Sequence, residues 1–269
     1  MKTLSTIIAA RNAAAWLPQC IASVASQRLP AGWRADIRLG VDSCPATLMA
    51  VSRIRHPRFH AYYFPEHVGP YVIFNSLACS YPTDVLARFD ADDVMLGDYL
   101  LSQLNELGSA SVPAITQTWS VYVDHDLHPV CARLASGKTT AQDGRRSEAS
   151  DGQFMMTSSV WQRLGGFQAW RCHGDTEFIR RARWAGASRK VVPAHLYLRR
   201  MHSGSLTQAD ETGYASQIRR YYAQQIRDAH DRYARGAPPE RLRPAVARFY
   251  PANAMPAETM PRSYSEAAR

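Results

Sequence analysis

The chain has 269 residues, 46% of them hydrophobic and 10% aromatic, which is enough apolar material for one large core or two small ones. A charged fraction of 20% argues against wholesale disorder. The formal net charge of +9 is carried partly by scattered Arg-Arg pairs at 145–146, 180–181, 199–200 and 219–220 rather than by one block, so no concentrated nucleic-acid footprint is present.

Leu4 to Ala10 is a short apolar run rich in β-formers and reads as a buried strand. The run is too short for a signal-peptide core, and Arg11 falls where cleavage would begin. Arg11-Asn12 forms a turn. A helix is expected from Ala13 to Ser26, with Trp16, Leu17, Cys20, Ile21 and Val24 at helical spacing and Pro18 in the first turn. Ala35 to Asp42 is a second strand ending on an aspartate, so the chain opens as a β-α-β unit, the mark of a parallel sheet.

A helix over 46–56 and a strand over Phe59 to Phe64 follow. His67 to Pro70 is a loop, Tyr71 to Cys79 a short apolar helix, and Val85 to Phe89 a strand running straight into Asp90-Ala91-Asp92-Asp93. Asp98 to Leu107 is expected to be helical and Ala114 to Val123 extended. Residues 136–151 are polar and read as a mobile surface loop. Phe154 to Met156 is a strand, and Ser158 to Leu164 a helix closed by Gly165-Gly166-Phe167. Thr176 to Ala185 is another helix, and Lys190 to Val192 a short strand.

Tyr214 to Arg235 is a long polar helix, with Tyr214, Ile218, Tyr222, Ile226, Ala229 and Tyr233 forming a packing stripe. The tail beyond Pro238 is expected to be partly disordered. No CxxC pair occurs among the five cysteines, which argues against structural zinc and for a reducing compartment. No apolar stretch approaches the roughly 20 residues needed to span a bilayer. A cytoplasmic chain is expected, with peripheral contact at the inner face of the plasma membrane through 214–248 left open.

Three groups of residues could carry chemistry. Asp90, Asp92 and Asp93 lie at the carboxyl end of a strand, where ligands of open α/β sheets bind. Carboxylates so close repel unless a cation sits among them, and hard oxygen ligands suit Mg2+ or Mn2+. The plainer alternative is an acidic turn capping a helix. Asp42 ends an earlier strand and is placed on the same sheet edge. Asp175, in Gly174-Asp175-Thr176-Glu177-Phe178, is a general-base candidate, with a helix N-terminal acid as the plainer alternative. Leu198 to Thr207 combines Arg199, Arg200, His202 and hydroxyls beside Gly204, a composition that suits phosphate.

Taken in order, the β-α-β opening, Asp42, His67-Val68-Gly69, Asn75, Asp90-Ala91-Asp92-Asp93, Gly165-Gly166-Phe167, Gly174-Asp175-Thr176-Glu177-Phe178 and His202 to Thr207 resemble glycosyltransferase family 2. The bacterial polysaccharide, capsule and lipopolysaccharide members are the nearest in kind. The resemblance covers roughly residues 3–210 and implies an α/β GT-A fold with a mostly parallel central sheet flanked by helices. It implies a nucleotide-binding half over 1–110, an acceptor half over 111–210, and a C-terminal helix and tail over 211–269.

It also implies roles. Ala9, Arg11 and Asp42 would line the base and ribose pocket, and Ala10, His67, Gly69 and Asn75 would contribute to binding the nucleotide-sugar. Asp90 and Asp92 would match the family's DXD motif, with Asp90 nearer the ribose and Asp92 and His202 on the metal, Mn2+ or Mg2+, and Arg88 and Ala91 would join them in binding the nucleotide-sugar. Arg199 or Arg200 would neutralise the leaving diphosphate, with Arg200 preferred. Asp175 would be the base. Trp170 and Glu177 would face the acceptor, a glycan or lipid-linked glycan, and a UDP-sugar is the favoured donor. Three departures stand out: Ser43-Cys44 follow Asp42, Gly174 replaces the usual Glu before the base, and Phe74 replaces the usual Arg before Asn75. The rivals are a sugar nucleotidyltransferase, disfavoured because Ala10-Arg11-Asn12-Ala13 lacks a glycine-rich loop, and a degenerate module that binds without catalysis.

Overall fold

The computed structural model describes residues 1–134 and 137–255. The strands are β1 (Lys2–Ala10), β2 (Trp33–Asp42), β3 (Phe59–Phe64), β4 (Val85–Asp90), β5 (Val94–Met95), β6 (Ala114–Val123), β7 (Arg145–Arg146), β8 (Phe154–Thr157), β9 (Ser188–Arg200) and β10 (Tyr250–Pro251). The helices are α1 (Leu17–Ala25), α2 (Pro45–Val51), α3 (Pro70–Ser80), α4 (Tyr99–Gly108), α5 (Ser158–Leu164), α6 (Gly174–Trp184) and α7 (Gln217–Ala234).

All strands belong to one sheet in the order β10-β3-β2-β1-β4-β8-β6-β9-β5, with β7 pairing to β6. The block β3-β2-β1-β4 is parallel, and its strands are apolar on both faces because helices cover both. Leu17, Cys20 and Val24 of α1 join Leu48 of α2 and Leu100 and Leu104 of α4 in the core on one face. Ile73 and Leu77 of α3 join Val160 of α5 and Phe178 of α6 on the other. This three-layer architecture is the α/β fold expected from the sequence.

Several boundaries differ from expectation for physical reasons. Residues 13–16 form a turn, held by Leu17 N–H to the Ala13 carbonyl at 2.9 Å, so α1 starts at Leu17. The helix expected over 46–56 stops at Val51, ahead of His56-Pro57, where proline disfavours helical backbone at the preceding residue. The largest difference is β9, which has 13 residues rather than three. Pro193 interrupts the sequence pattern, but a bulge around Trp119 absorbs it, and β9 resumes pairing with β6 as far as Arg200. Arg199 and Arg200 therefore sit on a strand end and not in a loop.

The 136–151 segment is tied down in part: β7 pairs with β6, Arg133 bridges to Thr139, and Thr140 and Ser150 are buried. Ala135 and Ser136 lie outside the described residues. In the packing stripe, Tyr222, Ile226 and Tyr233 are buried on α7, whereas Tyr214 precedes the helix and is exposed. Beyond α7 the chain crosses the outer face in extended form. Leu242 N–H donates to the Leu164 carbonyl at 2.8 Å, Ala247 N–H donates to Ser76 Oγ at 2.9 Å, and Phe249 stacks on Phe64. The segment then joins the sheet edge as β10, so the tail expected to be partly disordered is ordered to residue 255, and 256–269 lie outside the described residues. No helix among the described residues is long and apolar enough to cross a membrane.

Candidate functional site

Strand order reverses at β1. The chain builds β2 and β3 on one side of it, then returns to place β4 on the other. The crevice beyond the carboxyl ends of β1 and β4 is thus a topological switch point, where ligands of open α/β sheets bind. Ala9 and Asp90 are direct cross-strand partners there. A small pocket beside them is lined by Ile7, Ala9, Pro70, Phe74, Arg88 and Asp90. Ala10 and Ala91 are buried in the backbone walls.

On the β2 side, Arg11 reaches across the strand ends, its Nη1 donating to the Asp42 and Ser43 carbonyls at 3.0 and 3.3 Å. The buried Asp42 carboxylate draws the loop after β3 onto itself. It accepts from Val68 N–H at 2.8 Å and Gly69 N–H at 3.1 Å, and lies 2.7 Å from His67 Nδ1. Gly69 adopts φ +81°, which a side chain would oppose. Arg11, Asp42, His67 and Gly69 therefore form one structural unit at the expected base pocket.

The acidic cluster divides into three environments. Asp90 is held between Arg88 Nη2, 3.0 Å from its Oδ1, and Gln153 Nε2, 3.1 Å from its Oδ2. Asp93 is buried; its Oδ1 accepts from Arg200 N–H at 2.9 Å and its Oδ2 from Gln153 Nε2. Burial and the neighbouring carboxylates push the Asp93 carboxyl well above its ordinary range and raise Asp90 as well, despite the opposing pull of Arg88. Asp92 is different, because its one side-chain partner is His202, with Nε2 2.8 Å from Oδ2. Trp16, from the turn before α1, packs on the His202 ring at 4.1 Å between centroids.

Among the described residues no three His, Cys, Asp or Glu side chains converge as a complete metal cage. Asp92 and His202 nevertheless fit two positions on a divalent cation. Their 2.8 Å separation is near the edge of an octahedron with ~2.1 Å bonds, about 3.0 Å. Two protein ligands, with substrate oxygens and water completing the shell, is a common arrangement for Mg2+-type sites.

Asp175 lies in the first turn of α6, with its Oδ1 accepting from Thr176 N–H at 2.8 Å. Gly174, the residue before it, packs on the Tyr71 ring, and the Arg88 guanidinium that pairs with Asp90 lies over the same ring at 5.7 Å, so Asp175 stands beside the same crevice. Thr176 Oγ1 donates to Asp151 at 3.0 Å and fixes the start of the helix against the 150–153 segment. Gly174 explains one departure in the sequence: a methyl group there would come within 2.8 Å of the buried Tyr71 ring.

Three expected residues are placed elsewhere. Asn75 is fully buried and makes a two-way bond to the Phe167 backbone, Nδ2 to O at 2.9 Å and Oδ1 from N–H at 2.9 Å. It anchors the Gly165-Gly166-Phe167 turn and is spent on that contact, away from its expected role, while Phe74 packs edge-on against Phe167. Glu177 is buried against Arg181, with Arg181 Nε 2.6 Å from its Oε1, and so does not face an acceptor. Arg200 is 3% exposed, and its guanidinium is spent on the Asp92 and His125 carbonyls and on Gln19, which removes it as a free diphosphate ligand. Trp170 is half-buried and stacked on Tyr222 of α7 at 4.4 Å. Gln153 and Trp16 escaped the sequence reading, since a glutamine after a polar stretch and a tryptophan at helical spacing carry no chemical signature.

No family model matches this sequence, and no curated protein does. Solved structures do match it in fold. Residues 1–349 of S. aureus TarS in complex with UDP superpose with a TM-score of 0.59 at 15% identity, over 76% of this chain and 61% of that one. The same protein with UDP-GlcNAc gives 0.59 at 15%, over 76% and 60%. The mannosyltransferase PcManGT from Pyrobaculum calidifontis, in complex with GDP-Man and Mn2+, gives 0.62 at 15%, over 84% and 64%. The chain thus spans about three fifths of the length of these structures. The likeness is one of fold, and the fold is the GT-A type expected from the sequence.

Proposed function

We propose that this protein is an inverting glycosyltransferase of the family 2 kind, moving a sugar from a nucleoside-diphosphate donor to a hydroxyl of a glycan or lipid-linked glycan. The reading is supported most by Gly174-Asp175 packing on the Tyr71 ring beside the Arg88–Asp90 pair, in the same crevice region as the Asp92–His202 pair. Ligands named for the fold neighbours, UDP, UDP-GlcNAc and GDP-Man with Mn2+, support the donor class, and a UDP-sugar is favoured.

In this reading the base and ribose lie over Arg11, Asp42, His67 and Gly69, and the diphosphate lies toward Asp92. Asp92 and His202 would hold Mn2+ or Mg2+. When bound, such a cation stabilises negative charge on the departing diphosphate. Asp90, fixed by Arg88 and Gln153, would lie nearer the ribose. Trp170 stands on the acceptor side.

Asp175 takes the proton of the acceptor hydroxyl as its oxygen attacks the anomeric carbon. The new glycosidic bond forms on the face opposite the breaking bond to phosphate, so configuration inverts. Proton transfer of this kind contributes roughly 10²–10⁴-fold.

Calorimetric titration of UDP with Mn2+ and with chelator tests the donor site. The wild type is expected to bind more tightly with Mn2+, and Asp92→Ala to lose that difference. An unchanged metal effect in Asp92→Ala would remove it as a ligand. No metal-dependent binding of UDP or GDP by the wild type would remove the transferase reading.

A further inference from the structure

Away from the carboxylate cluster, two arginines on different strands converge on one phenol. Tyr122 of β6 is buried, and Arg199 of β9 is its cross-strand partner. On the other side of β6, Arg146 of β7 pairs with Ser120. Arg199 Nη1 donates to Tyr122 Oη at 2.7 Å, and Arg146 Nη1 donates to the same oxygen at 3.0 Å. Ser150 Oγ lies 3.5 Å from Arg199 Nη1 and completes the polar lining.

The buried Asp93 carboxylate acts on Arg199 from a distance, but among the described residues no carboxylate lies within salt-bridge distance of Arg199. Arg146 has only Glu148 at 3.6 Å, a half-exposed carboxylate that Lys138 shares at 3.7 Å. Arg146 Nε is buried with no partner. Each guanidinium spends one N–H on the phenol oxygen, and because that oxygen accepts from both, its own proton is left for a third group. Two like charges held side by side, with spare donors and a free phenolic O–H, form a ready receptor for an oxyanion.

We propose that Arg146, Arg199 and Tyr122 bind an oxyanion, a phosphate or carboxylate group carried by a substrate. Two sources share this chemistry: the diphosphate of a donor and an anionic group on an acceptor. Oxyanion binding as such does not depend on the transferase reading; only its assignment to the donor diphosphate, the role the resemblance implies for Arg199 or Arg200, rests on that reading.

The test is calorimetric titration of the full chain with inorganic phosphate, at low ionic strength and with chelator present. Saturable binding at one site is expected. Arg146→Gln should weaken it roughly tenfold or more, because a charged hydrogen-bond donor is lost. Tyr122→Phe, which keeps the ring volume, should weaken it too, and provides the check if the arginine variant folds poorly. Repeating the titration with saturating UDP and Mn2+ separates the sources: displacement of phosphate assigns the site to the donor diphosphate, and undiminished binding assigns it to the acceptor. Absence of saturable binding in the wild type, or wild-type affinity retained in both variants, would overturn the proposal.

Discussion

Replacing Arg181 with methionine would test whether Glu177 serves the fold or a substrate. Arg181 is almost fully buried and makes five hydrogen bonds. Two go to Glu177, at 2.6 and 3.1 Å, and three to the carbonyls of Leu164, Gly166 and Glu240 at 2.8, 2.8 and 3.3 Å. It thereby ties α6 to the end of α5 and to the crossing C-terminal segment. Burial pushes the Glu177 carboxyl above its ordinary range, and Arg181 is what draws it back. Arg181→Met leaves that carboxylate buried and unpaired, which costs about 3–5 kcal/mol. At roughly 2–4 °C per kcal/mol for a domain of this size class, the melting temperature should fall by about 6–20 °C. Thermal and urea denaturation followed by circular dichroism measure it. Arg181→Met combined with Glu177→Gln should recover part of the loss, because no charge is then stranded. A loss below about 1 kcal/mol in Arg181→Met would refute this accounting, as would a stably folded Glu177→Gln whose principal defect is a raised acceptor KM.

Two other variants probe the same crevice. Gly174→Ala drives a methyl into the Tyr71 ring at 2.8 Å and should cost about 1–3 kcal/mol in urea denaturation, with transfer activity falling as Asp175 is displaced. Unchanged stability would show that Tyr71 can move aside. Asp93 supplies a pH test. Its folded-state carboxyl titrates well above the ordinary range because of burial, Asp92 and Asp90. A proton is therefore held more tightly in the folded than in the unfolded chain. The metal-free protein should lose stability from this group as pH rises from the ordinary carboxylate range to the raised value, and Asp93→Asn should flatten that part of the profile. Identical pH profiles for wild type and variant would contradict it.

Much of the parallel half of the sheet was legible because parallel strands and their terminal aspartates follow from local patterns. Val85 to Asp90 is an uninterrupted apolar run ending on acid, and it forms the strand beside β1. Pairing across the sheet was not legible. Pro193 hid the continuation of β9, since nothing local announces that a bulge opposite Trp119 will absorb it. The Arg199-Arg200 pair shows the same limit at the site: adjacent identical side chains point to opposite faces of a strand, so one braces the Asp92 backbone and the other turns to Tyr122. Asn75 and Gly165-Gly166-Phe167 were both singled out as separate signals, yet they are halves of one contact across 92 positions, and only the fold brings them together.

Transfer with Asp175 as base is tested most directly by release of nucleoside diphosphate from a panel of nucleotide-sugars, with Mn2+ and with chelator, for the wild type and Asp175→Asn. The wild type is expected to show Mn2+-dependent release from at least one donor, and Asp175→Asn a loss of roughly 10²-fold or more with donor affinity nearly unchanged. Wild-type turnover in Asp175→Asn, or no release from any donor by the wild type, would contradict it.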